Sequence, residues 1–458
     1  MRIRVVLLII VLFLGSGILL HLTVQNASTS PPLTSTVLSQ INMRGSMQGQ
    51  SGISLDVNGD GTEDLIVGAP QEANGNSRGA ILVYPAVSRS LGFLRNNDIF
   101  GVQLHPATVV EGDGNLGWSL AALGNVTGRG KGFFAAGAFN GSGKKSSLSG
   151  TVTIFHRSGA NRVIKDAVLE GEDALDKFGY ALAAGDLNGD GTPDLIIGAP
   201  FNSPMPALYQ QGAVYIYFGP DYDPARAIKI PATTANGGLG FSVAAGDING
   251  DGIDDLLIGA SGKVLVFYGS NTFSPVPQNP DVVFSSTDTG FGHAICVLRD
   301  VDDDGIKDLA VGADQATIAD IANSGRVFII RGGWPKGLVV NADTTSLAKI
   351  DGEANSGRFG SFILPLGDMN ADGVPDLAVS AVHADGSNWP MTGKIYVFSG
   401  KDLLDPGLSA DSAKAFAGEA KDMHFGTFMS ALAGKRQLVA GAPTENENTG
   451  AVHILNLK

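Results

Sequence analysis

The chain has 458 residues, 43% of them hydrophobic and only 17% charged, with 63 glycines as the compositional outlier. So large an apolar fraction excludes a disordered chain, and the glycine content falls far short of the one-in-three of collagen. A formal charge of −14 with few basic clusters argues against a nucleic-acid partner, and the lone cysteine, Cys296, excludes an internal disulfide framework or a CxxC metal site.

In chain order, Arg2 and Arg4 precede an apolar run from Val5 to Leu14 and a second run ending at Leu22. Basic residues followed by an apolar stretch predict that residues 1–24 are a signal peptide or an uncleaved signal anchor. Either places the remainder outside the cytoplasm, secreted or membrane-anchored. Residues 25–39, rich in Ser, Thr and Pro and without charge, read as a linker. From residue 40 onward one motif repeats. GDLNGDGTPDLIIGAP at 185–200 has close copies at 55–70, 246–261, 299–314 and 367–382, with weaker copies at 124–139 and 434–443. Seven copies spaced 50–70 residues apart signal a solenoid, a propeller or an array.

Each copy opens on a pair such as Phe178-Gly179 or Phe291-Gly292, followed by a short apolar run, an acidic loop and a second apolar run such as DLIIGA. A glycine-rich loop and an alternating run such as GAVYIYFG complete it. Runs of 4–8 residues bounded by turn formers are strand grammar. A strand like LIIGA, without polar alternation, needs cover on both faces, which radially stacked four-stranded sheets provide. The expected fold is all-β: a seven-bladed β-propeller of four-stranded antiparallel blades over residues 40–458.

The five strong loops place oxygen donors at positions 1, 3, 5, 7 and 9. These are Asp56, Asn58, Asp60, Thr62 and Asp64 in the first, and Asp186, Asn188, Asp190, Thr192 and Asp194 in the second. Asp247, Asn249, Asp251, Ile253 and Asp255 follow, then Asp300, Asp302, Asp304, Ile306 and Asp308, and last Asp368, Asn370, Asp372, Val374 and Asp376. Position 7 would contribute its backbone carbonyl, and position 6 is always glycine, which permits the sharp turn around an ion. Oxygen-only donors in a compact loop favour Ca²⁺, so about five structural calcium ions are expected, and they would offset most of the net negative charge. An EF-hand is excluded because position 12 is Val or Ile inside a strand and no flanking helices are predicted. The second repeat has Asn125, Thr127, Arg129 and Phe133 at the ligand positions, so no calcium is expected there, with Arg129 as a candidate fixed positive charge.

The pattern FG…D-x-[DN]-x-D-G-x-x-D…GAP, repeated along residues 40–458, resembles the FG-GAP repeats of the integrin α-subunit head. The resemblance implies calcium in hairpins between first and second strands. It also implies a partner-binding face on the opposite side, formed by loops 70–79, 139–150, 200–212, 314–325, 382–393 and 443–450, with blade four cut to Ser261-Gly262. Trp389, Tyr209, Phe139, Lys144 and Lys145 lie in those loops and are candidates for contact with a protein or glycan ligand. The single cysteine and the end of the chain after the seventh repeat point to a stand-alone propeller and away from an integrin β partner.

No HExxH, nucleophile elbow or Walker loop occurs. His293 and Cys296, three apart on a strand, should face opposite ways, leaving the cysteine in the core. Trp334 is expected to pack on its own blade. The leading expectation is a non-enzymatic, calcium-stabilised adhesion or ligand-binding module. The alternative is an extracellular hydrolase or lyase acting on polysaccharide.

Overall fold

The computed structural model describes residues 35–37, 47–70, 72–73, 76–85, 108–126, 130–144, 146–157, 162–203, 211–232, 237–273, 279–370, 372–386, 388–432, 436–445 and 450–457. The export segment 1–24 and most of segment 25–39 lie outside these residues, as do Thr127, Arg129, Lys145 and Tyr209. Among the described residues no helix is long and apolar enough to cross a membrane.

Seven antiparallel sheets follow one another, almost without helix. In blade three, Ala181–Gly185, Asp194–Ala199, Ala213–Tyr217 and Ile228–Pro231 pair in sequence order, and the other blades repeat this meander. The second strands of blades one, three and four are buried at every position, as a strand covered on both sides must be. The first strands of successive blades touch in order, and that of blade seven, Met429–Ala431, touches that of blade one, Ser51–Leu55, so the ring is closed. The expected seven-bladed propeller is therefore the observed architecture.

Apolar side chains divide by strand period among seven clusters, one at each seam. Leu65 and Val67 pack against Val439 and Ile454 of blade seven, while Ile66 between them packs against Phe134 of blade two. The repeated glycines explain how closely the blades approach. Gly117, the second residue of the FG-type pair in blade two, holds φ at +90°, and its carbonyl lies where a Cβ on Gly68 of blade one would be, at 1.9 Å. The same clash recurs between Gly441 and the Gly49 carbonyl, 2.0 Å away, where blade seven meets blade one. Any side chain at either glycine would force the backbones apart. The seam between blades six and seven departs from this rule. Ser380 replaces the glycine of the second strand, is fully buried, and its hydroxyl has no hydrogen-bond partner.

Two features differ from the sequence reading. Ser35–Val37, inside the segment read as a linker, is a strand that pairs with Ala451–Asn456 and completes blade seven. The alternation that marks other outer strands is hidden there by its three-residue length. Trp334 packs on blade four, its ring 6.3 Å from Phe284 and its carbonyl accepting from the Tyr268 hydroxyl. The chain after it, Leu338–Asn341, adds to blade four as a fifth, parallel strand beside Val282–Ser285.

Candidate metal centres and the opposite face

Five hairpins between first and second strands share one closing contact, the backbone N–H of the position-6 glycine donating to the position-1 aspartate. In blade one the Asp56 carboxylate accepts from the backbone of Gly59, Asp60 and Gly61, Asn58 Oδ1 accepts from Asp60, and Asp60 Oδ1 accepts from Thr62. Asp186, Asp247, Asp300 and Asp368 head the corresponding turns. The local cause is the alternation of Asp or Asn with Gly, whose short side chains cap their own backbone two to five residues on. Donors at positions 1, 3 and 5 are thereby gathered on one small turn.

The aspartate at position 9 starts the second strand in blades one, three and four, immediately precedes it in blades five and six, and is buried in all five. Asp194 accepts from Leu187 at 3.0 Å and from Gly219 at 3.0 Å, the latter two residues past the third strand. Asp255, Asp308 and Asp376 repeat this with Gly269, Gly332 and Gly400. Glycine is required because a Cβ on Gly400 would meet the Pro375 carbonyl at 2.1 Å. Burial, reinforced by the neighbouring loop carboxylates, pushes Asp194 and Asp255 up to about 7 and raises Asp308 and Asp376.

The carboxylates are crowded most closely in blade five. Oxygens of Asp300, Asp302 and Asp304 lie within 4.8 Å of one another, and Asp302 Oδ1 is buried with no hydrogen-bond partner. Hard oxygen donors around an unpartnered buried carboxylate oxygen fit a calcium ion. Arg331 reaches the same turn, pairing with Asp304 and lying 3.9 Å from Asp302, and it holds the Asp304 carboxyl below its ordinary range.

Blade two has Phe133 in place of the position-9 aspartate, stacked 5.0 Å from His156. By register, Arg157 stands where the other blades carry the glycine, since Phe134 pairs with Phe155 as Leu195 pairs with Tyr217. The Arg157 guanidinium crosses to blade one and meets Asp64 Oδ2 at 3.2 Å, both side chains almost wholly buried. Arg129, the fixed positive charge expected in the blade-two hairpin, lies outside the described residues.

On the opposite side the ligand candidates separate. Phe139 stands edge-on to Trp118 at 4.5 Å, with Lys177 Nζ 4.6 Å from its ring. Its neighbours continue as an arc of partly exposed rings across blades two to four: Tyr180, Phe201 and Phe241, then His293 of blade five. His293 Nδ1 lies 2.8 Å from Asp314, whose other oxygen receives Arg358 Nε at 3.0 Å. Cys296 points away from His293 into the core, and burial pushes its thiol up to about 12. Lys144 instead donates its backbone N–H to Glu170, and Trp389, 52% exposed on blade six, joins no ring contact among the described residues. Trp118, Tyr180 and Phe241 were not singled out from sequence. Their signal was the residue after the glycine in LGW, FGY and LGF, aromatic in three successive repeats.

A closed ring of seven blades, five of them with acidic oxygen-donor hairpins on one side and an aromatic arc on the other, is a repeat β-propeller. The FG-GAP repeat profile matches residues 49–84 and 178–217, and an FG-GAP-like repeat profile matches 247–311, so the protein carries FG-GAP repeats. It is similar to integrin alpha-7 of Rattus norvegicus, 34% identical over 204 residues, covering 41% of this chain and 16% of that protein. Integrin alpha-6 of Gallus gallus is 29% identical over 245 residues, 51% of this chain and 22% of that protein. Integrin alpha-PS5 of Drosophila melanogaster is 33% identical over 162 residues, 32% of this chain and 16% of that protein. The matched regions span about a sixth to a fifth of these relatives' length.

Proposed function

We propose that the protein is an extracellular adhesion or ligand-binding propeller in which calcium is structural and no chemistry is catalysed. The observation that carries this reading is the set of five acidic hairpins in register, with the unpartnered buried oxygen of Asp302 in blade five. Calcium would supply positive charge there. The residues at positions 1, 3, 5 and 9 would hold it, together with the carbonyls of Thr62, Thr192, Ile253, Ile306 and Val374. The position-9 aspartates already tie each hairpin to the third strand of its blade through backbone hydrogen bonds. An ion shared by that carboxylate and the turn would brace the blade's rim.

The partner, a protein or a glycan, would engage the side opposite the hairpins. Partly exposed rings of Trp118, Phe139, Tyr180, Phe201 and Phe241 offer large rigid contact area, and Trp389 extends it on blade six. The similarity to integrin α subunits supports placement outside the cytoplasm and a role in adhesion. The test is thermal melting with saturating calcium and with a chelator. Calcium should raise the midpoint by several degrees, and Asp190→Ala should remove one ion without loss of the fold. Identical melting under both conditions would remove the metal from this account.

A further inference from the structure

The seam between blades six and seven carries two imidazoles that neither the hairpins nor the aromatic arc uses. His383 lies just past the second strand of blade six, its backbone held by the Gly357 carbonyl at 3.1 Å. His424 immediately precedes the Phe425-Gly426 pair of blade seven. Their ring centroids are 5.1 Å apart and their planes inclined by 53°, and both residues are partly exposed. From these two side chains we infer a binding site for a divalent transition metal of the zinc class, bridging blades six and seven.

Three observations carry the inference. The first is spacing. A Zn–N bond of about 2.0–2.1 Å puts the metal about 3.2 Å from each ring centroid, so two imidazoles at the tetrahedral angle have centroids about 5.2 Å apart. The observed separation matches this. The second is the tautomer. The Thr444 hydroxyl gives its only proton to the Asp422 carbonyl, so its oxygen can only accept from His424 Nδ1, 2.9 Å away. His424 is thereby held with Nδ1 protonated and a lone pair on Nε2, the orientation that an outer-shell hydrogen bond gives a ligating imidazole. The third is the surrounding charge. Arg358, whose charge reaches His383, is engaged on the Asp314 carboxylate at 3.0 Å, and Lys421 lies 3.7 Å from the Asp422 carboxylate, so neither confronts an incoming ion as a free charge. Two protein ligands leave positions for water or for a carboxylate brought by a partner.

The experiment titrates Zn²⁺ into the full chain by calorimetry with calcium in excess, so that the acidic hairpins are already engaged. Co²⁺ titrated under the same conditions serves as a visible-absorption probe of tetrahedral coordination. Wild type should show a site that His383→Ala and His424→Ala each weaken by about tenfold or more. Thr444→Val keeps both imidazoles and should weaken binding about tenfold while leaving the melting curve unchanged, which keeps the test decisive should an alanine variant fold poorly. Equal Zn²⁺ binding by wild type and the His383→Ala/His424→Ala double variant would overturn the inference. So would loss of the site in Asp302→Asn but not in the histidine variants.

Discussion

Replacing Arg157 by methionine removes the guanidinium and keeps most of the apolar stem. The substitution leaves Asp64 in a seam where its side chain is 0% exposed and that of Arg157 is 2% exposed, at 3.2 Å from each other. A neutral backbone donor such as the Val57 N–H, at 3.3 Å, does not replace the positive charge. Breaking a buried pair by removing one partner costs about 3–5 kcal/mol, because the surviving charge stays desolvated. Unfolding entropy near 2.1 cal/mol/K per residue gives a ring of this size on the order of 0.9 kcal/mol per kelvin, so the midpoint should fall by about 3–6 °C. Differential scanning calorimetry in chelator reads this directly. Asp64→Asn in the same background should recover much of the loss, since no charge is then stranded, and the cycle of single and double variants should show coupling of about 2 kcal/mol. With calcium present the penalty should shrink, because the ion supplies part of the missing charge. A shift below about 1 °C in chelator, or strictly additive single and double variants, would refute the assignment of Arg157 as the charge partner of blade one.

The chelated protein should also respond to pH in a defined direction. Asp194 and Asp255 are raised in the folded state from 3.8 to about 7, so their contribution to stability is complete below about pH 4 and is lost as pH rises through 7. Melting in chelator should therefore be lower at pH 7.5 than at pH 5, a difference that saturating calcium removes. Arg331→Ala frees Asp304 from an exposed ion pair, and calcium affinity at blade five should rise by up to about threefold in a competitive indicator titration. Tyr180→Ala and Phe241→Ala should weaken capture of the native ligand at least about tenfold in a surface-binding assay, while His156→Ala on the hairpin side should not.

Most of the architecture was legible because the repeat writes it in covalent terms. FG-type pairs and the GA glycines name the seam contacts, and strands such as DLIIGA are too apolar to be anything but covered on both sides. The acidic hairpins were legible for the same reason, since Asp and Asn alternating with Gly cap their own turns locally. What was not legible depended on residues distant in sequence. Ser35–Val37 becomes a strand by pairing with Ala451–Asn456 of blade seven, more than 400 residues later. Leu338–Asn341 reads as a connection but finds an open edge on blade four. Arg157 looks like the end of an ordinary strand, and only the register shows that it occupies the place of a glycine and serves the neighbouring blade.

These exceptions share a logic. A ring in which each blade covers the next has no free end at which an imperfect repeat can be isolated, so each loss must be met at a seam. Blade two lost its acidic hairpin, and the arginine beside that loss satisfies the aspartate of blade one. Blade seven takes its outer strand from Ser35–Val37, far from it in sequence. Blade six has Ser380 where its neighbours carry the seam glycine, and the same seam is the one where the His383 and His424 rings lie 5.1 Å apart. A substitution that opens a seam in a ring is felt by both neighbouring blades, which is why the rigid faces on either side can diverge in chemistry while the seams between them hold to two glycines and an apolar stripe.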